Sequence, residues 1–398
     1  VNFDLDPGQR AWSERARRFA EDEVLPVVRE ADERGEFPMH LVRRMGELGF
    51  LAGPIAAQYG GSGMDHLSFA LIYEALGWAD ASVRGFLAVH GGLVSQCIAE
   101  HGREDQKRAW LPRLATGEAI GCYALTEPGA GSDAAALATE AIRDGDDYLI
   151  SGEKCWITNG SIADLALVFA RDPAIEHPPG RAYRQICAFL VPTDKPGLLR
   201  EPMPGRELGH RASDHARLRF EDLRLPASSM LGDVGKGFGL AMAALDHGRM
   251  GVAAGAVGLG QACLDASVDF ARKRRAFGQR IGDFEMIQAS LADMAADIDA
   301  ARLLVYRAAW TKDQGLPSTR ATSTAKLFAT EAALRAADQA VLIHGGRGYS
   351  NEYPVERHWR DIKGLQIYEG TSHIQRIVIA RHLLGPEDPA QTNARKEP

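Results

Sequence analysis

Residues 367–385 read IYEGTSHIQRIVIARHLLG, and one of them could carry chemistry. Ile374, Ile377, Val378 and Leu384 recur at helical spacing, and Gly385-Pro386 ends the helix. Thr371 and Ser372 can cap its start, because a hydroxyl oxygen accepts a hydrogen bond from a free backbone N–H. Glu369 stands just ahead of that cap, on a loop feeding a helix N-terminus. A solvated loop carboxylate is one reading of it, since most glutamates are exposed. A base held out of water is the other.

Three further stretches have residue types suited to binding. Gly129-Ala130-Gly131-Ser132-Asp133-Ala134 matches the pattern GxGxxG/A, but a dinucleotide fold needs a βαβ unit around it, and antiparallel-looking β segments follow instead. Its glycines still allow backbone N–H groups to approach an anion, with the Ser132 hydroxyl beside them. Lys273, Arg274, Arg275 and Arg280 surround Phe277-Gly278, where an Arg could hold a phosphate bidentately or simply complement a helix end. Gly345, Gly346 and Gly348 are more glycines than a helix C-cap needs, and fit either close approach to a ligand or a flexible turn. The 12 histidines are scattered without a metal-binding spacing, and no GxSxG elbow accompanies His344-Gly345-Gly346, so metal-assisted and nucleophilic hydrolysis have no support.

The elements that must position these residues follow from periodicity. The first part, to about Leu114, is helical; Trp12, Ala16, Phe19 and Ala20 mark one face of its first helix. From about Glu118 to Gly232, short apolar segments alternate with turn clusters such as RDGDD and PTDKPG, as in an all-β domain. Long helices then return. Phe284, Ile287, Leu291, Met294, Ile298, Ala301 and Val305 step by three and four, the seam of a helix bundle, and 321–343 is a second bundle helix. The expected organisation is an α+β multi-domain chain: an N-terminal α-helical domain (1–117), a middle β-barrel-like domain (118–232), a C-terminal four-helix bundle (233–388) and a frayed tail (389–398).

Bulk composition agrees with a globular chain. It has 398 residues, is 45% hydrophobic and 25% charged, and carries a net charge of −7 with no strongly basic segment, which argues against nucleic acid as its partner. Five widely spaced cysteines without a CxxC signal neither zinc nor a disulfide framework and fit a reducing compartment. No segment of about 18 apolar residues suggests a membrane span. The expected setting is the cytoplasm of a bacterium, or the mitochondrial matrix for a processed eukaryotic chain.

Taken together, YALTEPGAGSDA (123–134), WITNG (156–160), LDHGRMGVAAGAVG (245–258), RRAFGQRI (274–281), HGGRGY (344–349) and RDIKGLQIYEGTSHIQR (360–376) resemble the acyl-CoA dehydrogenase family, in order and spacing, over about residues 5–385. The likeness is greatest to the short-chain, butyryl branch. It implies FAD as cofactor and α,β-dehydrogenation of a saturated acyl thioester: Glu369 takes the α-proton, and the β-hydrogen leaves as hydride to flavin N5. Some members carry the base on the LDHGR helix, where this chain has Gly248. By the same resemblance Tyr123, Leu125, Thr126, Gly131 and Ser132 line the flavin, with Ser132 on a phosphate or the CoA moiety. Trp156, Ile157 and Thr158 back the isoalloxazine, and Thr371 and Ser372 hold the pyrophosphate. Asp246 and Arg249 hold the CoA portion, and Gly370 gives the thioester room. Arg274, Phe277, Glu285, Leu342, His344, Gly345 and Gly346 belong to the flavin contacts, some of them reaching the FAD of a neighbouring subunit of a homotetramer, a dimer of dimers. An electron-transfer flavoprotein is the implied electron acceptor.

Departures from the family pattern are Glu285 and Leu342, where Gln is frequent, and His373 after the Thr-Ser pair. Arg84 aligns with an arginine that binds the distal carboxylate in glutaryl-CoA dehydrogenases, while Ala88 replaces that site's serine. Either Arg84 reads a substrate carboxylate, or it is structural and finds its counter-charge in Glu74 or Asp80. The alternatives to a short-chain acyl-CoA substrate are therefore a dicarboxylic or carrier-protein-bound thioester, or an oxygen-reactive oxidase on the same scaffold.

Overall fold

The computed structural model describes residues 4–385. The first helix, α1 (Pro7–Phe19), starts in a reciprocal cap: Asp6 accepts from the N–H groups of Gly8 and Gln9, and Gln9 Oε1 accepts from the N–H of Asp6. A wider helical turn, Ala20–Val24, leads into α2 (Leu25–Arg34). Then follow α3 (His40–Glu47), α4 (His66–Ala79), α5 (Ala81–Leu87), α6 (Gln96–His101) and α7 (Glu104–Thr116). Ala16, Phe19 and Ala20 are buried as their spacing predicts, with Trp12 packed beside them. Helix α4 is apolar on almost every side because it lies between α1 and the later bundle.

The β part comprises β1 (Gly121–Ala124), β2 (Glu140–Asp144), β3 (Asp147–Thr158), β4 (Leu165–Arg171), β5 (Ile186–Pro192), β6 (Leu198–Pro202), β7 (His215–Pro226) and β8 (Met230–Leu231). They form one eight-stranded sheet in the order β6-β7-β3-β2-β4-β5-β8, with β1 also on β4. The sheet is mixed, which corrects the antiparallel expectation: β1 runs parallel to β4 from Gly121↔Leu165 to Ala124↔Val168, and β2 meets β4 in parallel at Glu140↔Arg171. Strands β4 and β5 are buried from their first residue through their sixth, so they read as continuous apolar runs. The glycine pattern 129–134 lies between β1 and β2 and is followed by a single short turn, Ala134–Ala136, not by a helix. The sequence-based rejection of a βαβ unit there stands.

The last part holds α8 (Gly237–Lys273), a hairpin of β9 (Arg275–Ala276) and β10 (Gln279–Arg280), then α9 (Glu285–Asp313), α10 (Thr319–His344), α11 (Val355–Leu365) and α12 (Ser372–Leu384). Met294, Ile298, Ala301 and Val305 of the expected seam are buried on α9, with Ile287 and Leu291 packed against the same core. Helix α8 corrects one expectation: it is long and apolar enough to cross a bilayer, yet 72% of its most apolar window is buried among its neighbours. Pro386 and the tail expected at 389–398 lie outside the described residues.

One face of α8 has no side chains at the steps 248, 251, 255 and 258. A Cβ on Gly258 would lie 2.0 Å from the Glu74 carbonyl oxygen, and one on Gly255 would lie 2.7 Å from Arg84 Cδ. On Gly251 it would meet the Tyr73 ring at 3.0 Å, and on Gly248 it would meet a Glu369 carboxylate oxygen at 2.0 Å. The backbone of α8 therefore touches α4 closely at one end and leaves a bare shelf for Arg84 and Glu369 at the other.

Candidate active site

Where the sheet, α5, α8 and the α11–α12 connection meet, they enclose a cavity of about 480 Å³. Glu369 reaches it from Gln366–Thr371, the short connection between α11 and α12. The connection closes on itself through the Ser372 N–H donating to Gln366 O at 3.0 Å. Glu369 has φ 55° and Gly370 φ 87°, two left-handed residues in succession. For a glutamate that conformation is uncommon and must be held by its surroundings. Its Oε2 is shut off from solvent and has no hydrogen-bond partner among the described residues. Burial pushes the Glu369 pKa up, while the positive charges of Lys326, Arg84 and Arg249 pull it back.

Arg84 is fully buried on α5 and lines the same cavity. One of its terminal nitrogens donates to the Tyr368 hydroxyl, whereas Nε and Nη1 have no partner among the described residues. The counter-charges expected for a structural role are engaged elsewhere. Glu74 takes Arg302 Nε at 2.9 Å; Asp80 accepts from the Val83 N–H at 2.9 Å and faces Arg357.

The cavity wall opposite is set by a buried pair. Lys154 Nζ donates to Glu127 Oε1 at 2.7 Å and to Leu125 O at 3.1 Å, and Glu127 accepts from the Thr139 N–H at 2.9 Å. Burial lowers the Lys154 pKa to about 8 against the opposing pull of Glu127. This clamp fixes the loop from which Leu125, Thr126, Gly131 and Ser132 line the cavity, joined by Tyr123 from β1. Trp156, Ile157 and Thr158 line it from β3; Trp156 has φ 58°, which turns its ring outward to 55% exposure. Arg249 enters from α8, held by Asp246 Oδ1, while Asp246 Oδ2 accepts from Thr319. Gly370 and Thr371 complete the wall, and Ser372 faces an adjoining hollow of about 330 Å³ with Glu331, His373 and Arg376.

Not every expected contact converges here. Arg274, Phe277, Glu285, Leu342, Gly345 and Gly346 are exposed and outside this cavity. His344 is buried, its Nδ1 on Ala340 O at 2.7 Å and its ring stacked on Phe270 at 4.3 Å. That stacking puts the β9–β10 hairpin and the end of α10 at one end of the bundle. Sequence reasoning missed His210, Ser213 and Tyr368, which line the cavity, and Lys326 behind it. His210 gave no signal beyond its type. Tyr368 could have been found from its place next to Glu369.

The residues present fit a dinucleotide flavin. Thr371 caps α12 by accepting from the Ile374 N–H at 3.3 Å, and Ser372 Oγ is buried without a partner among the described residues, so hydroxyl and N–H donors stand together where an anion is favoured. A Cβ on Gly131 would meet nothing within 4 Å, which leaves room for close backbone approach.

A helix–sheet–helix chain with a carboxylate shut off from solvent in a cavity at the meeting of its parts is the class defined by fold and site. The models of the N-terminal, middle and C-terminal domains of acyl-CoA dehydrogenase match residues 6–118, 122–223 and 235–384. The chain belongs to the acyl-CoA dehydrogenase family. It is 47% identical over 384 residues to a probable acyl-CoA dehydrogenase of Bacillus subtilis, covering 96% of this chain and 100% of that one. The butyryl-CoA dehydrogenase structure from Megasphaera elsdenii superposes with a TM-score of 0.92 at 38% identity, over 97% of this chain and 100% of that one. A glutaryl-CoA dehydrogenase structure from Mycobacterium smegmatis superposes with a TM-score of 0.91 at 34% identity, over 98% and 97%.

Proposed function

We propose that this chain converts a saturated short-chain acyl-CoA into the trans-2-enoyl-CoA, with Glu369 as the base. The observation that carries the proposal is Glu369: half-buried, left-handed in its backbone, with an Oε2 shut off from solvent and partnerless among the described residues, in the cavity. An α C–H of a thioester is a very weak acid. Its removal needs a base of raised pKa and donors for the developing enolate oxygen. The Glu369 N–H has no protein acceptor among the described residues and supplies such a donor beside the carboxylate. The α-proton goes to the carboxylate, and the Cα–Cβ double bond forms as the β-hydrogen departs with its electron pair. Bound FAD supplies the acceptor for that hydride. Tyr123, Leu125, Thr126, Gly131, Ser132, Trp156, Ile157, Thr158, Thr371 and Ser372 would hold the flavin, Asp246 and Arg249 the CoA portion of the substrate, and Gly370 would give the thioester room.

Electrons then pass to an electron-transferring flavoprotein, as the family implies; rapid reoxidation of the substrate-reduced protein in air would point to an oxidase instead. A homotetramer is supported by Phe277, Met286, Leu342 and Tyr349, apolar and 71–95% exposed on the single chain. Five free, buried cysteines suit a reducing compartment.

Arg84 supports a second reading for the acyl group. A buried guanidinium with two unsatisfied nitrogens is costly beside a plain alkyl end, and a distal carboxylate or other acceptor would satisfy it. Anaerobic titration of the flavin absorbance with butyryl-CoA and then glutaryl-CoA separates the two. Bleaching by butyryl-CoA supports the first; bleaching by glutaryl-CoA alone, lost in Arg84→Met, supports the second. A protein that takes up no FAD would overturn both.

A further inference from the structure

Three consecutive carbonyls around Glu369 are held from behind by two buried side chains. Lys326, on α10 and 1% exposed, donates from Nζ to both Tyr368 O and Gly370 O, straddling Glu369. Gln375, on α12 and fully buried, donates from Nε2 to Glu369 O at 3.2 Å and Gly370 O at 2.8 Å. With the carbonyls of 368, 369 and 370 drawn to that side, the N–H groups of Glu369 and Gly370 have no protein acceptor among the described residues, and both residues line the cavity. Neither clamp residue lines the cavity.

We infer that Lys326 and Gln375 are positioning residues: they hold Glu369 left-handed, so that its carboxylate and its own N–H address the same thioester. The local conformation needs such an agent, because a left-handed non-glycine residue is strained and reverts unless over-determined. An ammonium with three donors can bridge two carbonyls two residues apart. Burying that cation is costly, and burial lowers the Lys326 pKa to about 7; the nearby Glu369 carboxylate opposes that loss of charge, and the loop carbonyls accept its N–H groups. The inference rests on the proposal that Glu369 takes the α-proton.

Lys326 also sets the charge around the base. The groups facing Glu369 are Lys326 from α10, Arg249 from α8, Arg84 from α5, Tyr73 from α4, Tyr123 from β1 and Tyr368 on its own loop. Burial raises the Glu369 pKa and Lys326 is the largest of the opposing charges. Removing that charge moves the pKa further up, so the acid limb of kcat/KM moves to higher pH.

The test uses the FAD-loaded protein with Lys326→Met, Lys326→Gln and Gln375→Leu, and Glu369→Gln as the reference. Besides turnover, the near-ultraviolet absorbance of bound acetoacetyl-CoA is followed, since it reports how much of this acidic thioester is enolised in the site. For Lys326→Met we expect kcat to fall at least tenfold with KM within threefold, the acid limb to move up by at least half a pH unit, and the enolate fraction of the bound analogue to drop. Lys326→Gln keeps a donor without the charge, so it should keep the pH shift and recover part of kcat. If Lys326→Met folds poorly, Lys326→Gln decides on the same readings, and Gln375→Leu, which removes no charge, on kcat and the enolate fraction. Variants that enolise the analogue as the parent does, with an unmoved acid limb, overturn the inference whatever their stability. If Glu369→Gln itself keeps full turnover, it is the assignment of the base that fails.

Discussion

At the scale of the residue, the proposed base Glu369 is set apart by its placement more than by its type. Burial lifts its pKa above the ordinary glutamate range, and a base must be ionised to act. The rate constant kcat/KM should therefore fall as pH drops through a value above that range. Glu369→Gln should lower kcat by about 100- to 10,000-fold, the usual contribution of a positioned proton acceptor, and abolish the acid limb. A rate–pH profile with an ordinary carboxylate limb would contradict the buried-base assignment. The carboxylate drew notice in the sequence because Gly-Thr-Ser and an apolar helix follow it, but its role came only from the resemblance of the whole motif to a family. Its left-handed backbone was not, and neither was Lys326: in STAKLFAT a lysine reads as a helix-surface charge until the fold shows it to be buried. Arg84 was recognised, but its proposed partners were wrong, since only tertiary structure shows that Glu74 is taken by Arg302.

At the scale of the element, α8 decides how close the parts can come. Glycine costs a helix roughly 1 kcal/mol relative to alanine, so an unstrained replacement should stabilise it. At Gly258 the added Cβ would press on backbone, 2.0 Å from Glu74 O and 2.6 Å from the Trp78 nitrogen, and no side chain can swing away. Gly258→Ala should thus lose about 1–3 kcal/mol as an overpacked core does, read as a lower melting temperature. At Gly248 the nearest atoms are the Glu369 carboxylate, the free end of a flexible side chain. Gly248→Ala should melt no lower than the parent and yet lose most of its activity. Equal melting losses in both variants would refute the distinction. The spacing 248, 251, 255, 258 was present in the sequence, but only the structure separates a glycine facing backbone from one facing a side chain. The α9 seam was readable because Met294, Ile298, Ala301 and Val305 obey one period. The parallel pairing of β1 with β4 was not, because strand direction leaves no trace in alternation.

At the scale of the whole molecule, the α, then β, then α order was visible from the change in hydrophobic period alone. How the parts share one cavity was not, since Arg84, Trp156, Arg249 and Glu369 come from distant stretches of chain. The expected contacts with a second subunit gather at one end of the bundle, where the end of α8 that leads into the hairpin carrying Phe277 stacks on the end of α10. Leu342→Asp places a charge in that apolar surface. Sedimentation should show the parent as a tetramer and the variant as a smaller species with weaker FAD retention. A variant that sediments like the parent would place the subunit contact elsewhere.

Gly248 and Glu369 divide one volume between two addresses in the chain. With a Cβ at 248 only 2.0 Å from the Glu369 carboxylate, a side chain at 248 and the present placement of that carboxylate exclude each other. A carboxylate moved in descent from the loop to the helix would first turn Glu369 out of its place. The intermediate with both side chains keeps its fold but not the present position of its base, so the order of the two changes decides how much activity is lost on the way.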